Sequence, residues 1–265
     1  MDILDKLYAA KAVVREADEK REPLPVVRER AMDRVLERRH FGEALRGSRG
    51  SAIIAEIKRA SPSAGMIVRQ IDPAQIAKEY EAAGADAISV LTEADHFLGD
   101  LAYIDVARNA ARLPILRKDF LSTRYDVAQS AAYGADAVLA IVAGLTDEQI
   151  ADMMDEASRY ALDVLVEVHD EEELARAVLA GATLLGINNR DLRTFETNLA
   201  VTEELLPLVP AGIIAISESG VRTQEDTRWL SDAGARGFLV GETLMRSEDK
   251  AAMVRALKGP VPAKA

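Results

Sequence analysis

The stretch GADAVLA, residues 134–140, runs a glycine, an alanine and an acid straight into four apolar residues. The pattern returns as GADAISV at Gly84, GATLLGI at Gly181 and GARGFLV at Gly234. A glycine before each copy suits the left-handed residue that closes a helix, and the apolar run behind it suits a strand buried on both faces. Each copy alone is an ordinary helix-to-strand corner. The recurrence at about fifty residues is not, because that is the length of two strand–helix units.

Reading outward from these copies gives eight apolar runs: AIIAEIK (52–58), DAISVL (86–91), PILRK (114–118), DAVLAIV (136–142), DVLVEV (163–168), TLLGIN (183–188), GIIAIS (212–217) and GFLVG (237–241). Amphipathic stretches lie between them. DPAQIAKEYEAAGA has Asp72 placed as an N-cap and Pro73 at the first helical position, and YDVAQSAAYGA, TDEQIADMMDEASRYA, DEEELARAVLAGA and TQEDTRWLSDAGA read as further helices. The alternation predicts an α/β chain folded as a (β/α)8 TIM barrel over residues 47–258. An open doubly wound sheet is the competitor, and the fourfold repeat favours closure because barrel interiors draw their layers from alternate strands. Residues 1–46 form an N-terminal helical extension of one or two helices that cap the barrel bottom, cover the active-site face or stay in solvent. Residues 259–265 are a frayed tail, and the whole is expected to be one domain.

Composition narrows the function classes. The chain has 265 residues, 49% apolar content and no cysteine, which supplies a sizeable core and removes disulfides, thiolate metal sites and cysteine nucleophiles together. A formal charge of −11 argues against nucleic acid as a partner. The opening residues lack a signal-peptide pattern, and no apolar run approaches the ~18 residues needed to span a bilayer. A cytoplasmic monomer with no membrane or nucleic-acid partner is expected.

Functional groups of such barrels sit at the C-terminal strand ends. Glu56 and Lys58 end the first run two residues apart, hence on one face; Lys118 ends the third, Glu167 the fifth, Asn188 the sixth and Glu218 the seventh. A single charge there is most simply a solvated strand end or a structural ion pair. Two lysines and three glutamates at one mouth are a ring whose proton affinities can be pushed apart, as acid–base chemistry requires. The SESGV and VGETL turns offer the free backbone N–H groups of Ser219, Gly220, Gly241 and Glu242 to a phosphate. An acidic side chain faces repulsion from such a ligand, so that of Glu242 is expected to turn away. Phe97, Phe120 and Leu192 follow strands two, three and six and are read either as core or as the wall of an aromatic pocket. His40, His96 and His169 lack metal-ligand spacing, and His169 is taken to neighbour Glu167 in sequence only. Ser61 and Ser63 lack a nucleophile elbow.

The motifs IAEIKRASPSAG, SVLTEADHFLGD, PILRKDF, LVEVHDEEEL, GINNRDL, ISESGV and FLVGETLM, in this order from residue 54 to 245, resemble indole-3-glycerol phosphate synthase. The resemblance implies closure of 1-(2-carboxyphenylamino)-1-deoxyribulose 5-phosphate to an indole with loss of carbon dioxide and water, in tryptophan biosynthesis, with no metal or organic cofactor. It implies Lys118 as the general acid on the substrate carbonyl. Lys58 becomes a substrate contact sharing proton transfer in dehydration, and Glu167 the base or electrostatic partner of that step. Glu56 orients Lys58, while Asn188 and Glu218 position hydroxyls and lysines. Ser219, Gly220, Gly241 and Arg190 serve the phosphate and adjoining chain, with Ser61 and Glu242 among the substrate contacts, and Phe97, Phe120 and Leu192 hold the anthranilate ring. Two rivals are weighed beside it. A phosphoribosylanthranilate isomerase is expected to need a cysteine, and a non-catalytic phosphate-binding barrel has no use for two lysines ringed by glutamates.

Overall fold

The structure, a computed structural model, describes residues 3–192 and 194–259. Eight parallel strands close on themselves: β1 (Ala52–Ile57), β2 (Ala87–Leu91), β3 (Ile115–Lys118), β4 (Ala137–Ile141), β5 (Asp163–Val168), β6 (Leu184–Asn188), β7 (Ile214–Glu218) and β8 (Gly237–Val240). Each pairs with its chain neighbours, and β1 meets β8 in the register Ala52↔Gly237 to Ala55↔Val240. That seam is the closed barrel the repeat predicts, and it rules out the open sheet. Gly237 is required there, since a Cβ would stand 2.6 Å from the Ala52 carbonyl oxygen.

Strand alternation sends one set of side chains inward and the other toward the helices. Ile54, Leu116, Leu139, Leu165, Leu184, Ile216 and Leu239 form the inner cluster, whereas Ile53, Ile88, Val138, Val166, Leu185 and Phe238 belong to the outer layer under the helices. The extension has three α-helices where one or two were expected, α1 (Ile3–Arg21), α2 (Leu24–Asp33) and α3 (Phe41–Arg46), Pro23 in an extended conformation parting the first two, and two of the three positions considered for it are occupied at once. Phe41 and Leu45 of α3 are fully buried against the lower interior; each such side chain contributes roughly 1.5–3 kcal/mol of burial. Leu4 and Leu7 of α1 join the same cluster from the opposite mouth. There Lys11 pairs with Asp119 at 2.6 Å and Arg15 donates to Ser122 at 3.1 Å. Between them α2 lies along the outside, its Arg28 holding Glu156 through two bonds of 2.8 and 2.6 Å.

The outer helices begin as their sequences dictate. Asp72 accepts from the N–H groups of Ala74 and Gln75 to start α4 (Pro73–Ala83), and Gly84 ends it at φ 87°. After α5 (Ala102–Ala110), capping boxes of Thr123 with Asp126 and Thr146 with Gln149 start α6 (Arg124–Ala132) and α7 (Asp147–Ser158). Asp170 caps α8 (Glu171–Leu179), α9 (Ala200–Leu205) follows, and a third box of Thr223 with Asp226 starts α10 (Gln224–Ala233). The chain continues through α11 (Glu242–Arg246) and α12 (Lys250–Lys258). The GAD corners gain a reason of their own: Asp86 accepts the N–H of Ile53 at 2.8 Å and Asp136 that of Ile115 at 2.9 Å, each satisfying the foot of the preceding strand. Apart from Gly259, the tail expected at 259–265 lies outside the described residues.

Candidate active site

The inward positions change character along the barrel axis. Ile54 is followed two residues on by Glu56, Leu116 by Lys118, Leu165 by Glu167 and Ile216 by Glu218, so the apolar interior ends in a layer of charge at the C-terminal mouth. A cavity of about 440 Å³ opens there. It is lined by Glu56, Lys58, Lys118, Glu167, Asn188, Glu218 and Ser219, and by Ser61, Phe97, Phe120, Arg190, Leu192, Gly220, Gly241 and Glu242. All the candidate residues named from the sequence thus meet at one place.

Lys118 occupies the centre. Its Nζ donates to Glu167 Oε2 at 2.9 Å and to Glu218 Oε2 at 3.0 Å, and Asn188 Nδ2 donates to Glu167 Oε1 at 2.9 Å. The β6–β7 register sets Asn188 beside Glu218. Lys58 forms a second pair with Glu56 at 2.8 Å. Two glycines make the room: a Cβ at Gly186 would collide with Glu218 Oε1, and one at Gly241 with Glu56 Oε1.

Burial alone would disfavour the Lys118 ammonium, but the charges of Glu167 and Glu218 outweigh it and its proton affinity is raised. Burial likewise pushes Glu167 up, yet Lys118, His169 and the bonds from Lys118 and Asn188 bring it down to about 2. Glu218 is raised to about 7, by burial first and then by Glu167 and Glu56 against the opposing pull of Lys118. Its Oε1 is buried without a hydrogen-bond partner among the described residues, which suits a carboxyl that keeps its proton. The mouth therefore holds a buried ammonium, an ionised carboxylate and a carboxyl that titrates near neutrality. That set can give a proton to a carbonyl and receive one elsewhere.

One wall is aromatic. Phe97 and Phe120 lie 6.0 Å apart, and Tyr8 of α1 meets Phe120 edge-on at 5.8 Å. At the other end, Ser219 and Gly220 both take left-handed backbone conformations, at φ 63° and 88°. A non-glycine residue held there costs on the order of 1 kcal/mol. Asn189 holds the turn: its Nδ2 donates to the Glu218 and Ser219 carbonyls at 2.9 and 3.0 Å. Arg190 donates to Ser63 Oγ at 2.8 Å, which ties the loop after β6 to the loop after β1. Ser61 Oγ accepts from the Ala64 N–H instead. The Glu242 carboxylate accepts from Arg246 at 2.8 Å, one turn along α11, and both residues line the cavity.

Two features differ from the sequence reading. His169 is a neighbour of Glu167 in space as well as in sequence, with Nε2 standing 3.5 Å from Glu167 Oε1, because the turn into α8 folds the ring back over the strand end. The cavity is also lined by Ile3 and Leu7 of α1, together with Phe195, Thr197, Arg222 and Arg246. The four-residue spacing of Ile3 and Leu7 marks a helix face. Nothing in that spacing says which end of a barrel the face will cover.

A model of the family described as indole-3-glycerol phosphate synthase matches residues 4–257. The indole-3-glycerol phosphate synthase of Desulfosudis oleivorans is 44% identical over 259 residues, covering 97% of this chain and 98% of its own. That of a Polaromonas species is 46% identical over 263 residues, with the same coverage of 97% and 98%. Among solved structures, 3-hexulose-6-phosphate synthase superposes with a TM-score of 0.60 at 18% identity, over 78% of this chain and 98% of that one. At that identity the likeness speaks for the barrel alone.

Proposed function

The chain belongs to the indole-3-glycerol phosphate synthase family, and from that premise we infer how its own side chains share the reaction. The reaction converts 1-(2-carboxyphenylamino)-1-deoxyribulose 5-phosphate to indole-3-glycerol phosphate, carbon dioxide and water, a step of tryptophan biosynthesis. The family implies no cofactor. No helix among the described residues is long and apolar enough to cross a membrane. We take the chain to act as a cytoplasmic monomer.

The observation that carries the assignment of roles is the position of Lys118 Nζ between Glu167 and Glu218 at the cavity wall. Ring closure needs the substrate ketone to accept a proton as the carboxyl-bearing ring carbon attacks it. Lys118 supplies that proton, and the new carbon–carbon bond leaves positive charge on the aromatic amine, which Glu56 stabilises. Carbon dioxide then departs, leaving its bonding electrons to restore the ring. In the dehydration that follows, the hydroxyl formed from the ketone leaves as water, with Lys58 delivering a proton and Glu167 accepting one from the intermediate. Asn188 and Glu218 hold Glu167 and Lys118 in place. General acid–base groups of this kind are each worth about 10²- to 10⁴-fold in rate.

Phe97, Phe120 and Leu192 sandwich the anthranilate ring. Arg190, Ser61 and the backbone of Ser219, Gly220, Gly241 and Glu242 hold the phosphate and its chain, so that the two ends of a flexible substrate meet. Incubation of the purified chain with 1-(2-carboxyphenylamino)-1-deoxyribulose 5-phosphate should generate indole fluorescence without added metal or cofactor. Absence of that signal from folded protein at saturating substrate would sink the reading.

A further inference from the structure

His169 stands one residue beyond β5, on the turn into α8, and none of the roles above uses it. Its Nδ1 lies 2.9 Å from Glu173 Oε2, which also accepts the His169 backbone N–H at 2.8 Å. Its Nε2 lies 3.5 Å from Glu167 Oε1 and has no hydrogen-bond partner among the described residues. The side chain is only 15% exposed, so water does little to separate ring and acids. A neutral imidazole carries one N–H and one lone pair. With the proton on Nδ1, the Nε2 lone pair faces the Glu167 carboxylate. With it on Nε2, the Nδ1 lone pair sits at bonding distance from Glu173. Only the doubly protonated ring turns an N–H toward each acid.

We propose that His169 rests as an imidazolium and acts as the positioning residue of Glu167, holding that carboxylate ionised and aimed into the cavity. Lys118 takes Glu167 Oε2 and Asn188 takes Oε1, while the His169 ring, which is not among the residues lining the cavity, stands 3.5 Å from Oε1. The charged groups around the ring are Glu173 from α8, Glu167 from β5 and Glu218 from β7. Burial and the positive end of α8 work against the cation. The bond to Glu173 and the three acids outweigh burial, and the ring's proton affinity is raised. Glu167 stays an acceptor at pH values where a buried carboxyl would otherwise take up a proton. The positioning role rests on the reading of Glu167 as a proton acceptor; the charge of the ring does not.

Both parts are measurable separately. Imidazole ¹⁵N shifts of the labelled wild-type protein, recorded without substrate and assigned by the signal lost in His169→Gln, should show both His169 nitrogens protonated at pH 7.5, where an ordinary imidazole is mostly neutral. A ring with one bare nitrogen at that pH overturns the proposal, whatever Glu167 does. In turnover, His169→Gln and His169→Asn should lower kcat at pH 7 about tenfold, because Glu167, still ionised there, is no longer aimed, and change KM less than twofold; the acidic limb of the kcat profile should move up by about one unit, because Glu167 has lost its neighbouring cation. A uniform drop with an unmoved limb in both folded variants overturns the positioning role. Full turnover in Glu167→Gln overturns the reading of Glu167 beneath it, with the ¹⁵N shifts still reporting the ring's charge.

Discussion

At the N-terminal end of the barrel, Arg38 donates to the carbonyls of Tyr160, Ala135 and Ala131, Arg39 to those of Ala111, Leu113 and Arg108, and Arg236 to those of Gly50, Arg46 and Ser48. At the C-terminal end, Lys118 donates to two carboxylates, and one of those keeps an oxygen with no partner among the described residues. The lower charges are matched to backbone carbonyls, so they fasten helix ends and strand feet. The upper charges hold one another beside a cavity, where a ligand can replace any of them. Charge matched to backbone is architecture; charge matched to charge with capacity left over is chemistry.

The sharpest way to break this contrast is to remove one group from each end. Lys118→Met should lower kcat at least 10³-fold, while the unfolding temperature falls by no more than a few degrees because Glu218 can take up a proton in compensation. Asp136→Ala should do the reverse. It leaves Arg108 without its buried partner at 2.8 Å and orphans the N–H groups of Ile115 and Arg39, at a cost of about 3–5 kcal/mol in unfolding free energy with kcat per folded molecule unchanged. A large loss of turnover in folded Asp136→Ala, or unfolding of Lys118→Met, would dissolve the distinction between the two ends.

A smaller effect is expected from Gly186→Ala. Its new methyl displaces Glu218, so kcat should fall about tenfold, with overpacking costing about 1–3 kcal/mol. An unchanged pH profile and rate would mean that Glu218 does not hold Lys118 in its working position. The smallest effect is a pH dependence. Glu218 titrates at about 7 in the fold against an ordinary value of 4.5, so its protonated form is the favoured one; the stability it contributes is full below pH 4.5 and lost as the pH rises through about 7. Glu218→Gln copies the neutral form, so in urea unfolding it should gain on the wild type between pH 5 and pH 8. The same difference at both pH values would argue against a raised carboxyl.

The barrel was legible because its code is local and repeated. Buried β-runs, Asp72 with Pro73, and the glycines at 84, 134, 181 and 234 each announce an element boundary, and period-two alternation turns a strand-end residue into an inward one. Lys118, Glu167 and Glu218 followed from that parity. What stayed hidden depends on contacts between distant segments. Whether α1 covers the mouth is decided by Lys11 meeting Asp119, 108 residues away. That His169 turns back onto Glu167 is decided by Glu173 gripping its ring and its backbone at once. No periodicity in the chain encodes either contact.

Central to the proposed mechanism is a division of labour in which Lys118 is the acid of ring closure while Lys58 holds substrate. It is tested most directly by measuring single-turnover rate beside the affinity for a non-reacting substrate analogue in Lys118→Met and Lys58→Met, with folding checked by thermal unfolding. The expected result is a rate at least 10³-fold below wild type in Lys118→Met with analogue affinity within about threefold of wild type, and a clear loss of analogue affinity in Lys58→Met. Near-normal single turnover in Lys118→Met, or an equal loss of binding in both variants, would contradict it.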